Sequence, residues 1–166
     1  MKGNDRMKRM FGIEISCSLE SPAYFQNVIA PLKETASIYD VDEQLLILES
    51  AAEAKFIKKL LDDKCMLEET YILIRLDNPK IGSSFTDYGF ETSNHHYLYE
   101  DMICMFKVVS GNKDDMEMAL LQMNESIIGM EIVNSTTYII DKHQKEFIEK
   151  VAKAYDIEVS FLVLDK

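Results

Sequence analysis

The chain has 166 residues, 47% of them hydrophobic and 28% charged, which suits one substantial domain or two small units sharing a core and excludes a disordered chain. The formal charge of −11 is uneven: Lys2, Arg6, Lys8 and Arg9 against Asp5 give residues 1–10 a net of +3, leaving −14 on residues 11–166. A body this acidic argues against non-specific attraction to nucleic acid or anionic membrane and would steer a basic protein partner, although solubility alone also explains such acidity.

Residues 1–10 read as a basic N-terminal extension in which Met7 and Met10 are alternative starts. Its resemblance to a signal peptide stops at Glu14, which interrupts the apolar run, and no stretch approaches about 18 apolar residues. A cytoplasmic location is the expectation. Cys17, Cys65 and Cys104 form no CxxC pair, which fits a reducing compartment.

A first unit is expected over residues 11–77. Phe11–Cys17 alternates apolar and polar residues, the period-2 pattern of a half-buried strand. Ser21-Pro22 opens a helix with the stripe Tyr24, Phe25, Val28, Ile29 and Leu32, and Pro31 is expected to end or kink it. Ser37–Val41 and Gln44–Glu49 read as strands around Asp42-Glu43. A capped helix over 51–62 follows, buried through Ala52, Phe56, Ile57, Leu60 and Leu61, and Thr70–Leu76 is a strand stopped by Asp77-Asn78-Pro79. The segment 78–101 is the one long irregular stretch.

A second unit, 102–166, repeats the order: strand Met102–Val109, a Met-rich helix capped by Asn112 or Asp114 and running to Met123, the hairpin Ser126–Val133 and Thr136–Ile140, helix Lys142–Tyr155 and strand Ile157–Leu164. The offset is about 91 residues. It aligns Ser50 and Glu53 with Asp141 and Gln144, each pair spaced as a capping box. It also aligns Phe25, Val28, Ile29 and Leu32 with Met116, Ala119, Leu120 and Met123. Met118 lies off that stripe and is expected to be exposed.

Each half therefore reads β-α-β-β-α-β and resembles the ferredoxin-like arrangement, an α+β fold with an antiparallel sheet and both helices on one face. Such a sheet leaves one face open. In the first strand that face reads Gly12, Glu14, Ser16 and Ser18, which water could cover, but in its counterpart it reads Ile103, Met105, Lys107 and Val109. The expectation is that the two units pack as a pseudo-symmetric pair, or that the second half forms a homodimer.

Chemical signatures are scarce. His95-His96 lack the Cys or His-x-x-x-His company of a metal site, and the acidic pairs at 62–63, 68–69, 100–101 and 114–115 read as solvated. No nucleophile elbow, P-loop or dinucleotide fingerprint is present. No cofactor and no metal are expected, and the reading leans away from an enzyme.

Three functions remain. The first is a non-catalytic acidic binding protein of bacterial or phage type, an immunity, antitoxin or anti-defence inhibitor covering a basic surface of a partner protein. Five of the sixteen aromatic residues fall within 85–99, and aromatic anchors ringed by acids suit an interface. Its candidate contacts are Tyr88, Phe90, Glu91, His95, His96, Tyr97, Tyr99, Glu100 and Asp101. The second is a small-molecule sensor: the tandem units look like ACT domains, which bind amino acids between paired units. Ser18-Leu19-Glu20-Ser21-Pro22-Ala23 occupies the strand-to-helix corner where those domains carry an acidic residue and Pro-Gly. Ala23 stands in place of the glycine, and Ser110-Gly111-Asn112-Lys113-Asp114 lacks the proline. The third is an enzyme with dispersed residues, using His95 or His96 as a base.

Overall fold

The structure is a computed structural model that describes residues 7–16 and 22–164. Cys17 and the corner residues Ser18 to Ser21 lie outside them. The chain divides into two compact units, residues 9–74 with 92–94, and residues 75–91 with 95–164 and 7–8.

In the first unit the order is β1 (Lys8–Ile15), α1 (Pro22–Thr35), β2 (Ile38–Asp42), β3 (Leu45–Leu48), α2 (Ala51–Asp63) and β4 (Leu67–Leu76). Its strands lie in the order β2-β3-β1-β4, with Ile13 opposite Leu46 and Phe11 opposite Leu48. That is the ferredoxin-like order, and the two helices share one face. Ile29 and Leu32 of α1 and Ala54, Ile57 and Leu61 of α2 pack with Ile13, Ile15, Leu46 and Leu48. The period-2 pattern of β1 and the helical spacing of the stripes thus meet in one core.

Three local expectations change. α1 continues past Pro31 to Thr35, with the Ala36 N–H donating to Leu32 O at 3.0 Å, because burial of Ile29 and Leu32 outweighs the missing proline N–H. Ala52 is exposed and Phe56 is 52% exposed: the buried stripe of α2 runs through Ala54, Ile57 and Leu61, with Leu60 half-buried. Gly12 is not covered by water, since a Cβ there would meet Leu73 Cδ1 at 3.1 Å and Leu45 Cδ1 at 3.2 Å. Neighbouring Glu14 accepts a hydrogen bond from the Tyr71 hydroxyl at 2.8 Å.

The second unit carries β5 (Pro79–Ile81), β6 (Gly89–Glu91), β7 (His96–Tyr99), β8 (Ile103–Ser110), α3 (Lys113–Met123), β9 (Ile127–Val133), β10 (Ser135–Asp141), α4 (Lys145–Ala154) and β11 (Glu158–Leu162). Its sheet runs β11-β8-β10-β9, the same order again, with β5 added antiparallel to β9. Phe106, Ala119, Met123, Ile140, Ile148, Val151 and Ala152 form its helix-side core. The fold class is α+β, two tandem β-α-β-β-α-β units with antiparallel sheets.

The 91-residue offset holds in atomic detail after each second helix. Cys65 and Asp156 adopt the same left-handed conformation, at φ 55° and 53°, and the next N–H returns to the helix end in both: Met66 to Leu61 O at 2.8 Å, Ile157 to Ala152 O at 3.0 Å. The capping boxes close only halfway. Ser50 Oγ accepts from Glu53 N–H at 3.2 Å, but Glu53 Oε1 is taken by the Ser37 N–H. Asp141 accepts from His143 N–H at 2.7 Å, opening a 3-10 turn over 142–144 ahead of α4, and Gln144 accepts from the Ser126 hydroxyl.

Segment 78–101 is more regular than its glycines and polar residues imply. β6 pairs with β7, placing Gly89 opposite Leu98. Gly89 is required there, because a Cβ would lie 2.0 Å from Tyr97 O. Met118 is 50% exposed, as its position off the stripe predicts.

Candidate functional site

The aromatic segment is the natural place to look first. Tyr97 is fully buried, so it belongs to the core and cannot act as a surface anchor. Phe90 stacks on Tyr97 at 5.3 Å between ring centroids and lies 5.7 Å from Tyr99, with Phe90 and Tyr99 half-buried. The Tyr88 hydroxyl donates to Asp141 Oδ2 at 2.8 Å, a structural bond within the unit. His96 Nε2 lies 3.4 Å from Glu91 Oε1, and its ring meets Phe85 edge-on. His95 meets Tyr97 edge-on. Glu91 and Asp101 are exposed and Glu100 is half-buried. The structure therefore brings a carboxylate to His96 but uses much of the expected anchor set for packing.

A second place, in the same unit, comes from a residue the sequence reading passed over. On β9, Glu131 lies opposite Thr137 of β10 and Pro79 of β5 and is only 2% exposed. Its Oε1 accepts two backbone N–H bonds, from Asp77 at 3.0 Å and Asn78 at 2.6 Å. The Asn78 side chain donates to Ile132 O at 2.9 Å, tying the turn to the strand. Its other oxygen, Oε2, has no hydrogen-bond partner among the described residues. Burial pushes the Glu131 carboxyl above its ordinary value; the Asn78 and Asp77 N–H groups oppose this, the Asp77 charge adds to it, and His96 pulls the other way. Nearby, Arg75 Nη2 pairs with Asp77 Oδ1 at 3.0 Å.

Glu131 lines a cavity of about 460 Å³. The remaining polar lining is Lys107, Asn134, Ser135 and Thr137, and the apolar lining is Met7, Val133, Leu162, Val163 and Leu164. Pairing in the sheet explains the grouping. Ser135 faces Val133, Thr137 faces Glu131, and Leu162 follows the β11 residue opposite Phe106 by one, placing these side chains on the face away from the helices. Lys107 Nζ donates to Ser135 Oγ at 2.7 Å. The lining thus combines a buried carboxylate, an ammonium and aliphatic side chains, with Glu131 Oε2 itself closed to solvent. A legible signal did exist: Glu131 is the lone charge in the apolar run 127–133.

No group of His, Cys, Asp and Glu suited to a metal ion occurs among the described residues, and no helix among them is long and apolar enough to cross a membrane. No family model matches the chain, and no curated protein matches it. Among solved structures, the chain is similar to the aspartate kinase of Clostridium acetobutylicum, described as an allosteric enzyme important for industrial amino-acid production, at 13% identity and a TM-score of 0.33. The likeness covers 90% of this chain and 33% of the kinase, so the chain spans about a third of that enzyme's length. At that score the likeness carries no argument about function.

Proposed function

We propose that this chain is a tandem ACT-like small-molecule sensor whose ligand is a free amino acid held in the Glu131 cavity. The observation that supports it is the cavity lining, which sets the buried Glu131 carboxylate beside the Lys107 ammonium and an aliphatic wall. Glu131 Oε2 has no partner among the described residues, and an ammonium that displaces the atoms covering it would recover the cost of that burial. Lys107 supplies the complementary charge for a carboxylate, and Leu162, Val163 and Leu164 suit an aliphatic side chain.

The test is thermal unfolding with a panel of free amino acids, simple amines and simple carboxylates. A ligand at a hundredfold its Kd adds about 2.7 kcal/mol, which raises Tm by roughly 5–10 °C in a chain of this size. The shift is expected with an aliphatic amino acid and is expected to disappear in Glu131→Gln and Lys107→Ala. Affinity should also fall as pH drops through the raised Glu131 pKa, because the protonated acid no longer holds an ammonium. A flat response across the panel sinks the reading.

A second reading keeps the acidic body as an inhibitor of a basic protein. Half-buried Phe90 and Tyr99, beside Glu91, Glu100 and Asp101, are what favour it. It calls for a basic partner that dissociates as salt rises and binds more weakly to Tyr99→Ala; a chain that captures no protein at low salt counts against it.

A further inference from the structure

In the first unit, α2 and β4 leave a groove. It measures about 220 Å³ and is lined by Phe11, Ile13, Ala51, Ala54 and Ile72, with Thr70 and Tyr71 on the strand side. Lys55 and Lys58, one helical turn apart and exposed, line it as well, and neither forms an ion pair among the described residues. The Tyr71 hydroxyl is already donated to Glu14. An apolar trough therefore carries two ammonium groups without carboxylate partners, in a chain whose net charge is −11.

The repeat supplies an internal control. At the 91-residue offset, Ala54 and Thr70 correspond to Lys145 and Phe161, while Lys55 and Lys58 correspond to Glu146 and Glu149. Lys145 Nζ lies over the Phe161 ring, 4.9 Å from its centroid, so the positions that are alanine and threonine in the first copy carry a cation–π pair in the second. The first copy therefore carries small residues at 54 and 70 beside its groove, and the charges at 55 and 58 are reversed in the second.

We propose that this groove binds an anion bearing a short unbranched alkyl chain, with a medium-chain fatty carboxylate as the simplest case. Its head group pairs with Lys55 and Lys58, and its chain covers Phe11, Ile13, Ala54 and Ile72. Neither the site nor the ligand depends on the Glu131 cavity. Each half of such a ligand meets its match: the apolar floor removes the chain from water, and the paired lysines neutralise the head.

Calorimetric titration of the full chain with octanoate at low salt tests this. One equivalent should bind, with octan-1-ol and octylammonium about tenfold weaker or more. Lys55→Glu with Lys58→Glu lies on an exposed helix face and should keep the fold while weakening octanoate by about tenfold or more. Ala54→Lys with Thr70→Phe, which copies the second unit's filling, should abolish binding, with circular dichroism reporting whether that variant folds. Failure of octanoate to bind at millimolar concentration overturns the proposal. So does equal binding of octan-1-ol, or an unchanged affinity in the folded lysine variant.

Discussion

Replacing Glu131 separates its two oxygens, because Oε1 accepts two backbone N–H bonds and Oε2 is buried without a partner among the described residues. Alanine removes the acceptor of the Asp77 and Asn78 N–H groups, bonds of 3.0 and 2.6 Å to a charged oxygen. At about 1.5–3 kcal/mol each, the gross loss is about 3–6 kcal/mol. Relief from burying a carboxylate with one unpartnered oxygen offsets part of this, so we expect a net loss of about 2–4 kcal/mol near neutral pH. Glutamine keeps an oxygen for both N–H groups and should cost far less. The pH dependence distinguishes the two effects. Burial raises the folded-state pKa of Glu131 above its unfolded value, so the folded chain holds the proton more tightly. Its contribution is fully present below the unfolded pKa and is lost as pH rises through the folded one. Guanidinium unfolding of wild type, Glu131→Ala and Glu131→Gln from acid to neutral pH should therefore show wild type losing ground to the glutamine variant as pH rises. An alanine variant as stable as wild type, or a wild type that gains on glutamine with rising pH, would refute the reasoning.

The remaining predictions concern parts of the fold away from the cavity. Gly89→Ala places a Cβ against Tyr97 O, a backbone atom that cannot step aside, and should cost about 3 kcal/mol or more in denaturant unfolding. Ser50→Ala removes the α2 cap and should cost about 1 kcal/mol by the same assay. Phe56→Ser, at an exposed helix position, should stay within about 0.5 kcal/mol of wild type; a larger loss would mean that this ring has a packing role. The Asp141 carboxyl is held below its usual range first by the His143 N–H and then by the Tyr88 hydroxyl. Tyr88→Phe should raise that pKa in an NMR titration, and the stability contributed by Asp141, present above its unfolded pKa, should be lost at a higher pH as the solution is acidified.

The sequence by itself determined the order of elements and their duplication. Local periodicity carries that information: Phe11, Ile13 and Ile15 alternate, Phe25, Val28, Ile29 and Leu32 recur at helical spacing, and their counterparts lie 91 residues later. Ser50 and Asn112 cap their helices through contacts two or three residues away, which sequence reasoning can see. Tertiary structure decided the rest. Phe56 and Ile57 are equally apolar neighbours, and only the docking angle of α2 exposes the first and buries the second. The aromatic run at 85–99 looks like a surface, yet β6–β7 pairing accompanies complete burial of Tyr97 and leaves Phe90 half-covered. Glu131 was visible as a charge in an apolar strand, but its donors come from Asp77 and Asn78, more than fifty residues earlier in the chain. The same holds for the groove at α2, where Ala54 and Thr70 become a cavity only once helix and strand are side by side. Short-range patterns fix which residues are helix and strand, whereas a site is made by pairs distant in sequence, and those are set by packing.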